Sequence, residues 1–274
     1  MSDLLVVEDL TVTFPTTRGP VDVVKDVSFT VAGDETVGIV GESGSGKSMT
    51  SLAIMGLLPR GAVTRGSIRL DGTELLGRAD RDMRRIRGDR VSMVFQDPLS
   101  SLNPYYTVGL QIEEVYRAHR GRSRKAARKV AIEALEQVGL PDPERRVDYY
   151  PHQFSGGQRQ RVMIAMALVC SPALLIADEP TTALDVTVQA QILRLLADLR
   201  RRSGTGMVFI THDLAVISSI ATRVLVMRRG EQVEYGTAEQ VFAEPRHTYT
   251  RMLLESVPRI DDSPNDSPND EVMS

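Results

Sequence analysis

A chain of 274 residues, 42% of them hydrophobic, has enough apolar material for the core of one large or two moderate domains. Its formal charge of −3 argues against the strongly basic face that a nucleic-acid partner requires, and its single cysteine, Cys170, excludes an internal disulfide or a cysteine-only metal site. No apolar run reaches the roughly 18 residues of a membrane helix, and the N-terminus does not read as a signal peptide. The chain is expected to be soluble, and any membrane role would depend on a partner that spans.

Residues 4–14 and 21–31 are β-rich and partly alternating, with turn residues from Pro15 to Pro20 between them, which predicts an antiparallel hairpin. Phe14 closes its first strand, either as a core aromatic or as a platform for a stacked ring. A third strand, Thr36–Val40, runs into Gly41-Glu42-Ser43-Gly44-Ser45-Gly46-Lys47-Ser48, and a helix is predicted over 49–58, stopped by Pro59 and Gly61. Strand, G-x-x-x-x-G-K-[ST] and helix in that order read as a phosphate-binding loop. Its three glycines let the backbone wrap closely round an anion with N–H groups inward, and the helix brings its positive dipole end to the same spot. Lys47 can then reach β- and γ-phosphates, and the Ser48 hydroxyl can ligate Mg²⁺. Lysine stands only at Lys25, Lys47, Lys125 and Lys129 in a chain otherwise committed to arginine. Its presence in the loop fits a site that needs a compact point charge rather than a planar fork.

Residues 66–72 read as a short strand and turn, and 78–90, dense in Arg and Asp, as a solvated and mutually paired surface. A strand over 91–96 ends in Gln96, at the carboxyl end where ligands bind in an α/β sheet, although many strands end in a polar amide for solubility. Two helices are predicted over 107–139. The basic front of the second, with Arg117, Arg120, Arg122, Arg124, Lys125, Arg128 and Lys129, is a solvated face, or alternatively a surface for anionic lipid. Strand signals vanish between Asp97 and about Phe154, so a helical subdomain is expected there, inserted between core strands. Ser155-Gly156-Gly157-Gln158 opens a helix read as 158–170, with Ser155 as its cap and two glycines leaving the first N–H groups open to an anion. Cys170, at the end of that apolar stretch, reads as a small buried hydrophobe.

Residues 173–177 form a continuously apolar run, the mark of a strand buried on both faces, and it ends in Asp178-Glu179. Beside a phosphate loop those carboxylates divide the work: Asp178 for the Mg²⁺ shell, Glu179 to polarise a water as general base. A turn over 181–185 and an amphipathic helix over 188–202 come next. The buried strand 207–210 then ends in Thr211-His212-Asp213, which places His212 for a γ-phosphate contact. A hairpin over Arg229-Gly230 and short helices at 237–243 and 248–256 complete the ordered chain. The tail repeats Ser-Pro-Asn-Asp and has nothing to bury.

This set, over about residues 3–258, resembles the ATP-binding subunit of ABC transporters. The resemblance implies an α/β fold, a P-loop NTPase core of the ABC ATPase kind with an antiparallel β subdomain and an inserted α-helical subdomain at about 97–160. It also implies a C-terminal extension at about 237–258 before a disordered acidic tail at 259–274. It assigns ATP binding to Phe14 (as the adenine-stacking aromatic), Gly41, Glu42, Ser43, Gly44, Ser45, Gly46, Lys47, Ser48, Met49 and Gln96. Mg²⁺ falls to Ser48, Gln96 and Asp178, and catalysis to Glu179, His212 and Lys47. Asp185 is similar to the family's D-loop aspartate. Ser155, Gly156, Gly157 and Gln158 are similar to its signature, which acts on the nucleotide of a second subunit. Phe154 stands where leucine is commoner and Ala177 is a small residue before Asp178; both remain apolar.

Residues 95–104 and 244–258 resemble the peptide and nickel importer branch, without the cysteine-containing tail of many members. The implied partners are two transmembrane permease subunits, a second ATP-binding subunit (identical or paralogous) and, indirectly, an extracytoplasmic solute-binding protein, with no nucleic acid. The implied location is peripheral, at the cytoplasmic face of the cell membrane. A nickel or metal-chelate importer and a soluble non-transport ABC ATPase are the competing readings. The second usually carries two cassettes or a coiled-coil insert, and neither is present. A small-molecule P-loop kinase leaves Ser155 to Gln158 without a purpose.

Overall fold

The computed structural model describes residues 3–255 apart from Ala183. The tail read as disordered, 259–274, lies outside the described residues. Strands β1 (Asp3–Thr16) and β2 (Gly19–Ala32) form the expected hairpin, with Phe14 opposite Val21 and Val12 opposite Val24. β3 (Thr36–Val40) comes after them and feeds helix α1 (Lys47–Met55). Next are β4 (Val63–Leu70), β5 (Thr73–Glu74), α2 (Asp80–Ile86) and β6 (Val91–Val94).

A helical stretch then intervenes: α3 (Pro98–Ser101), α4 (Val108–Arg120), α5 (Arg124–Gln137), α6 (Pro143–Arg146) and α7 (Gly156–Leu168). The chain returns through β7 (Leu174–Asp178), α8 (Val186–Ser203), β8 (Gly206–Ile210) and α9 (Leu214–Ile220). It ends in the hairpin β9 (Arg223–Arg228) and β10 (Glu231–Thr237), with α10 (Ala238–Ala243) and α11 (Thr248–Glu255).

Among the described residues the strands lie in the order β5-β4-β1-β2-β10-β9-β3-β8-β7-β6. β9, β3, β8, β7 and β6 run parallel to one another, while β10 is antiparallel to β9. β3, β7 and β8 are buried along their whole length, which is why they read as unbroken apolar runs. The β1–β2–β4–β5 unit is antiparallel, and a single bridging pair, Glu231 opposite Lys25, joins it to the rest. Parallel register aligns the strand ends on which the site is built. Ile210 pairs with both Ile39 and Asp178, so the segments leaving β3, β7 and β8 emerge level at one sheet edge.

Several boundaries differ from expectation. α1 stops at Met55 because Gly56, in the left-handed region, turns its N–H back onto Ala53 and Leu52. α7 begins at Gly156, two residues before Gln158, so its glycines occupy the first turn rather than precede it. β6 ends at Val94, which leaves Gln96 beyond the strand. Residues 80–86 form a helix whose Asp80 pairs with Arg84 and Arg87, so the Arg/Asp-rich stretch is mutually paired as anticipated. Four of the basic residues in and before α5 are also engaged: Arg120 with Asp89 and the Cys170 carbonyl, Arg124 with Glu113, Arg128 in a fork on Asp148, and Lys129 with Glu133. Cys170 is buried, and burial pushes its thiol above the usual range, as suits an inert core residue.

Candidate active site

The loop between β3 and α1 is built on backbone that few residues adopt. Gly41, Gly44 and Gly46 have φ of 152°, 77° and 103°. A Cβ on Gly41 would lie 2.1 Å from the Met227 carbonyl oxygen of β9, a backbone atom that no rotamer change can move. Gly41→Ala is therefore expected to lower stability by about 3 kcal/mol in chemical unfolding. A loss below about 1 kcal/mol would mean that β9 yields to the methyl group.

Lys47, only 5% exposed, donates to the carbonyls of Gly41 at 2.7 Å and Glu42 at 3.0 Å. Burial lowers its pKa, and the neighbouring carboxylates of Glu179 and Asp178 oppose that effect. Ser48 donates to Asp178 Oδ1 at 3.3 Å. Burial pushes the Asp178 carboxyl up, against the hydrogen bond from Ser48 and the charge of Lys47.

Glu179 has φ of 47°, unusual for a side chain of its size, and its N–H is tied to the Ile210 carbonyl at 2.8 Å. Its carboxylate is gripped from two sides. Gln96 Nε2 and Thr182 Oγ1 donate to Oε2 at 3.1 and 2.9 Å, and His212 Nδ1 stands 3.5 Å from Oε1. Glu179 is 17% exposed and His212 58%, so the acid is fixed while the imidazole faces the opening.

These groups surround a cavity of about 770 Å³, ample for a nucleotide. Phe14, Ser43, Gly44, Gly46, Lys47, Ser48, Met49, Gln96, Glu179 and His212 all line it. Gly41, Glu42, Ser45 and Asp178 are not among the lining residues; the Gly41 and Glu42 carbonyls hold Lys47, and Asp178 accepts from Ser48. Phe14 reaches the cavity while packing partly against the core, so its two readings are compatible. Ser155, Gly156, Gly157 and Gln158 are not brought to this cavity. Ser155 and Gln158 form a reciprocal capping box at the start of α7, their side chains accepting from each other's N–H at 3.3 and 3.2 Å. Asp185 is also elsewhere, capping α8 through the Val188 N–H at 2.9 Å.

Sequence reasoning missed Val23, Thr182, Ser51 and Tyr249. Val23 reaches the cavity from β2. Thr182 had a usable signal, three residues past Glu179 in a tight turn. Ser51 lies one turn beyond Ser48, donates its hydroxyl to the Ser48 carbonyl at 2.9 Å, and helps to hold down the Asp178 carboxyl that burial pushes up. Tyr249 meets the loop at Glu42 from the far end of the chain, and no local pattern announces that contact.

Residues 24–182 match the family profile described as "ABC transporter", and residues 233–272 the one described as "Oligopeptide/dipeptide transporter, C-terminal region". The second match extends beyond 237–258 at both ends. The chain is 52% identical over 262 residues to the oligopeptide transport ATP-binding protein OppD of Bacillus subtilis, covering 95% of this chain and 73% of that one. It is also 52% identical over 256 residues to the dipeptide transport ATP-binding protein DppD of Haemophilus influenzae, covering 93% and 78%. Among solved structures, the fold matches the dimeric structure of MJ0796, a bacterial ABC transporter cassette, with a TM-score of 0.76 and 31% identity over 85% of this chain and 98% of that chain. A post-hydrolysis state of the same cassette, bound to ADP and Pi, matches equally well.

Proposed function

The chain belongs to the ABC transporter family of ATP-binding proteins, and from that membership we propose that it energises a peptide importer by hydrolysing ATP. The observation that carries the reading is the Glu179 carboxylate, held by Gln96, Thr182 and His212 at the edge of the cavity that Lys47 lines.

In the proposed mechanism the N–H groups of the loop and the α1 N-terminus cradle the phosphates, and Lys47 offsets the charge on the β- and γ-oxygens. Glu179 takes the proton of the water that attacks the γ-phosphorus, and His212 steadies the transferring phosphoryl group. Phe14 stacks on the adenine ring. The residues fit Mg²⁺, since Ser48 and Asp178 present hard oxygens 3.3 Å apart with the Gln96 carboxamide nearby. Among the described residues no cluster of three acidic, His or Cys side chains could hold a metal alone, so phosphate oxygens would complete its shell. When bound, Mg²⁺ would neutralise charge between the β- and γ-phosphates.

Ser155, Gly156, Gly157 and Gln158 do not line this chain's own cavity, which leaves them free to act as a signature on the nucleotide of a second subunit. ATP thus joins two nucleotide-binding subunits, and hydrolysis separates them. No helix among the described residues is long and apolar enough to cross a membrane, so transport requires permease partners. An apolar groove of about 460 Å³ lined by Met55, Met93, Phe95, Val115, Met163 and Met166 lies between core and helical stretch, where such partners would dock at the cytoplasmic face. A solute-binding protein outside would deliver the peptide.

The test is affinity purification of the chain from its native membranes, followed by reconstitution. Two multi-spanning proteins, a second ATPase copy or paralogue, and ATP hydrolysis stimulated by short peptides with their binding protein are expected. Recovery with ribosomes or nucleic acid and no membrane protein would overturn the importer assignment.

A further inference from the structure

Tyr249, at the start of α11, is 2% exposed, yet its hydroxyl is not idle in the core: it accepts the Glu42 N–H at 3.2 Å. That N–H belongs to the peptide unit joining Gly41 to Glu42, and the carbonyl of the same unit accepts the Lys47 ammonium at 2.7 Å. A peptide is planar, so whatever fixes its N–H edge also fixes the direction of its C=O edge. Polarisation of one hydrogen bond by the other strengthens both. The tyrosine and the lysine therefore hold opposite edges of one rigid plate at the first turn of the phosphate loop.

The tyrosine is itself well anchored. The Arg228 guanidinium lies 4.7 Å from its ring centroid. Its N–H donates to His247 Nδ1 at 3.1 Å. Glu234 of β10 accepts the N–H groups of Arg246 and His247 at 2.8 and 3.1 Å, strapping this segment to the sheet. Burial, together with the Glu42 side chain, pushes the Tyr249 hydroxyl above the ordinary tyrosine range, so it stays protonated at neutral pH.

We propose that Tyr249 is a positioning residue for nucleotide binding: its hydroxyl fixes the Gly41–Glu42 peptide, and through it Lys47, so the C-terminal segment of the chain sets the affinity of the phosphate loop. The geometry stands alone, while its consequence for nucleotide rests on the ATPase reading. The segment lies inside the region matching the oligopeptide/dipeptide transporter C-terminal profile, so a partner that shifted α11 would alter ATP affinity without touching the cavity.

Tyr249→Phe tests this, because it keeps the ring over which Arg228 sits and removes only the hydroxyl. Equilibrium binding of ATP and of ADP to the 274-residue chain is expected to weaken by about five-fold, with kcat altered by less than about two-fold. Amide-resolved hydrogen exchange is expected to show the Glu42 N–H exchanging about five-fold faster in the variant. Tyr249→Ala, which also deletes the ring, separates packing from positioning: a purely structural tyrosine would lower the unfolding midpoint in Tyr249→Ala and leave Tyr249→Phe indistinguishable from wild type. Unchanged affinity for both nucleotides in Tyr249→Phe overturns the proposal, whatever the exchange rate does. Wild-type protein that bound neither nucleotide would sink the ATPase reading itself, and a Glu42 amide exchanging equally in wild type and Tyr249→Phe would then dispose of the tether as well.

Discussion

Glu179→Gln is expected to slow ATP hydrolysis by about a thousand-fold while leaving ATP binding intact. The substitution is isosteric, and the amide oxygen of the new side chain can still accept from Gln96 or Thr182, so the loop after β7 keeps its shape. What disappears is the carboxylate that, in the proposed mechanism, takes the proton from the attacking water. Because hydrolysis separates the paired subunits in the proposed cycle, the variant should accumulate as an ATP-bound dimer. The first readout is steady-state phosphate release, and the second is molecular mass by light scattering with and without ATP. Turnover within about ten-fold of wild type would remove Glu179 from the role of base. Slow turnover without dimer accumulation would instead question the cycle.

Lys47→Ala is expected to weaken ATP and ADP binding by about a hundred-fold, measured by titration calorimetry. Two effects act in the same direction. Charge-assisted hydrogen bonds to phosphate are lost, and the Asp178 and Glu179 carboxylates that Lys47 offsets are left facing an incoming polyanion. Lys47→Arg should rescue little of the loss. The ammonium sits in a pocket made by the Gly41 and Glu42 carbonyls, sized for a compact point charge rather than a planar fork. Wild-type affinity in Lys47→Ala would show that the loop amides alone hold the phosphates.

Much of the site was legible because its parts are contiguous. The run from Gly41 to Ser48 carries its own conformational demands, and the glycines, the lysine and the following helix can be recognised together. β3, β7 and β8 announced themselves as apolar runs, since strands buried on both faces leave no room for alternation. Where boundaries slipped, local competition was the cause. The helix read as starting at Gln158 starts at Gly156, because the Ser155–Gln158 capping box closes around both glycines and makes them the first turn of α7. Gln96 read as a strand end, but pairing of β6 with β7 runs out at Val94 opposite Ala177.

The sequence by itself therefore determined the phosphate loop, the buried strands, the carboxylate pair that ends one of them, and the caps, all of which depend on neighbours a few residues apart. Only the tertiary structure decided that Gln96, Thr182 and His212 converge on one carboxylate, that Ser155 to Gln158 stay clear of the cavity, and that Tyr249 reaches Glu42. Those meetings are set by the parallel register of β3, β7 and β8 and by the return of the chain through β9 and β10 behind the loop. Contacts of that kind are fixed by the packing of whole elements, and no window of residues contains them.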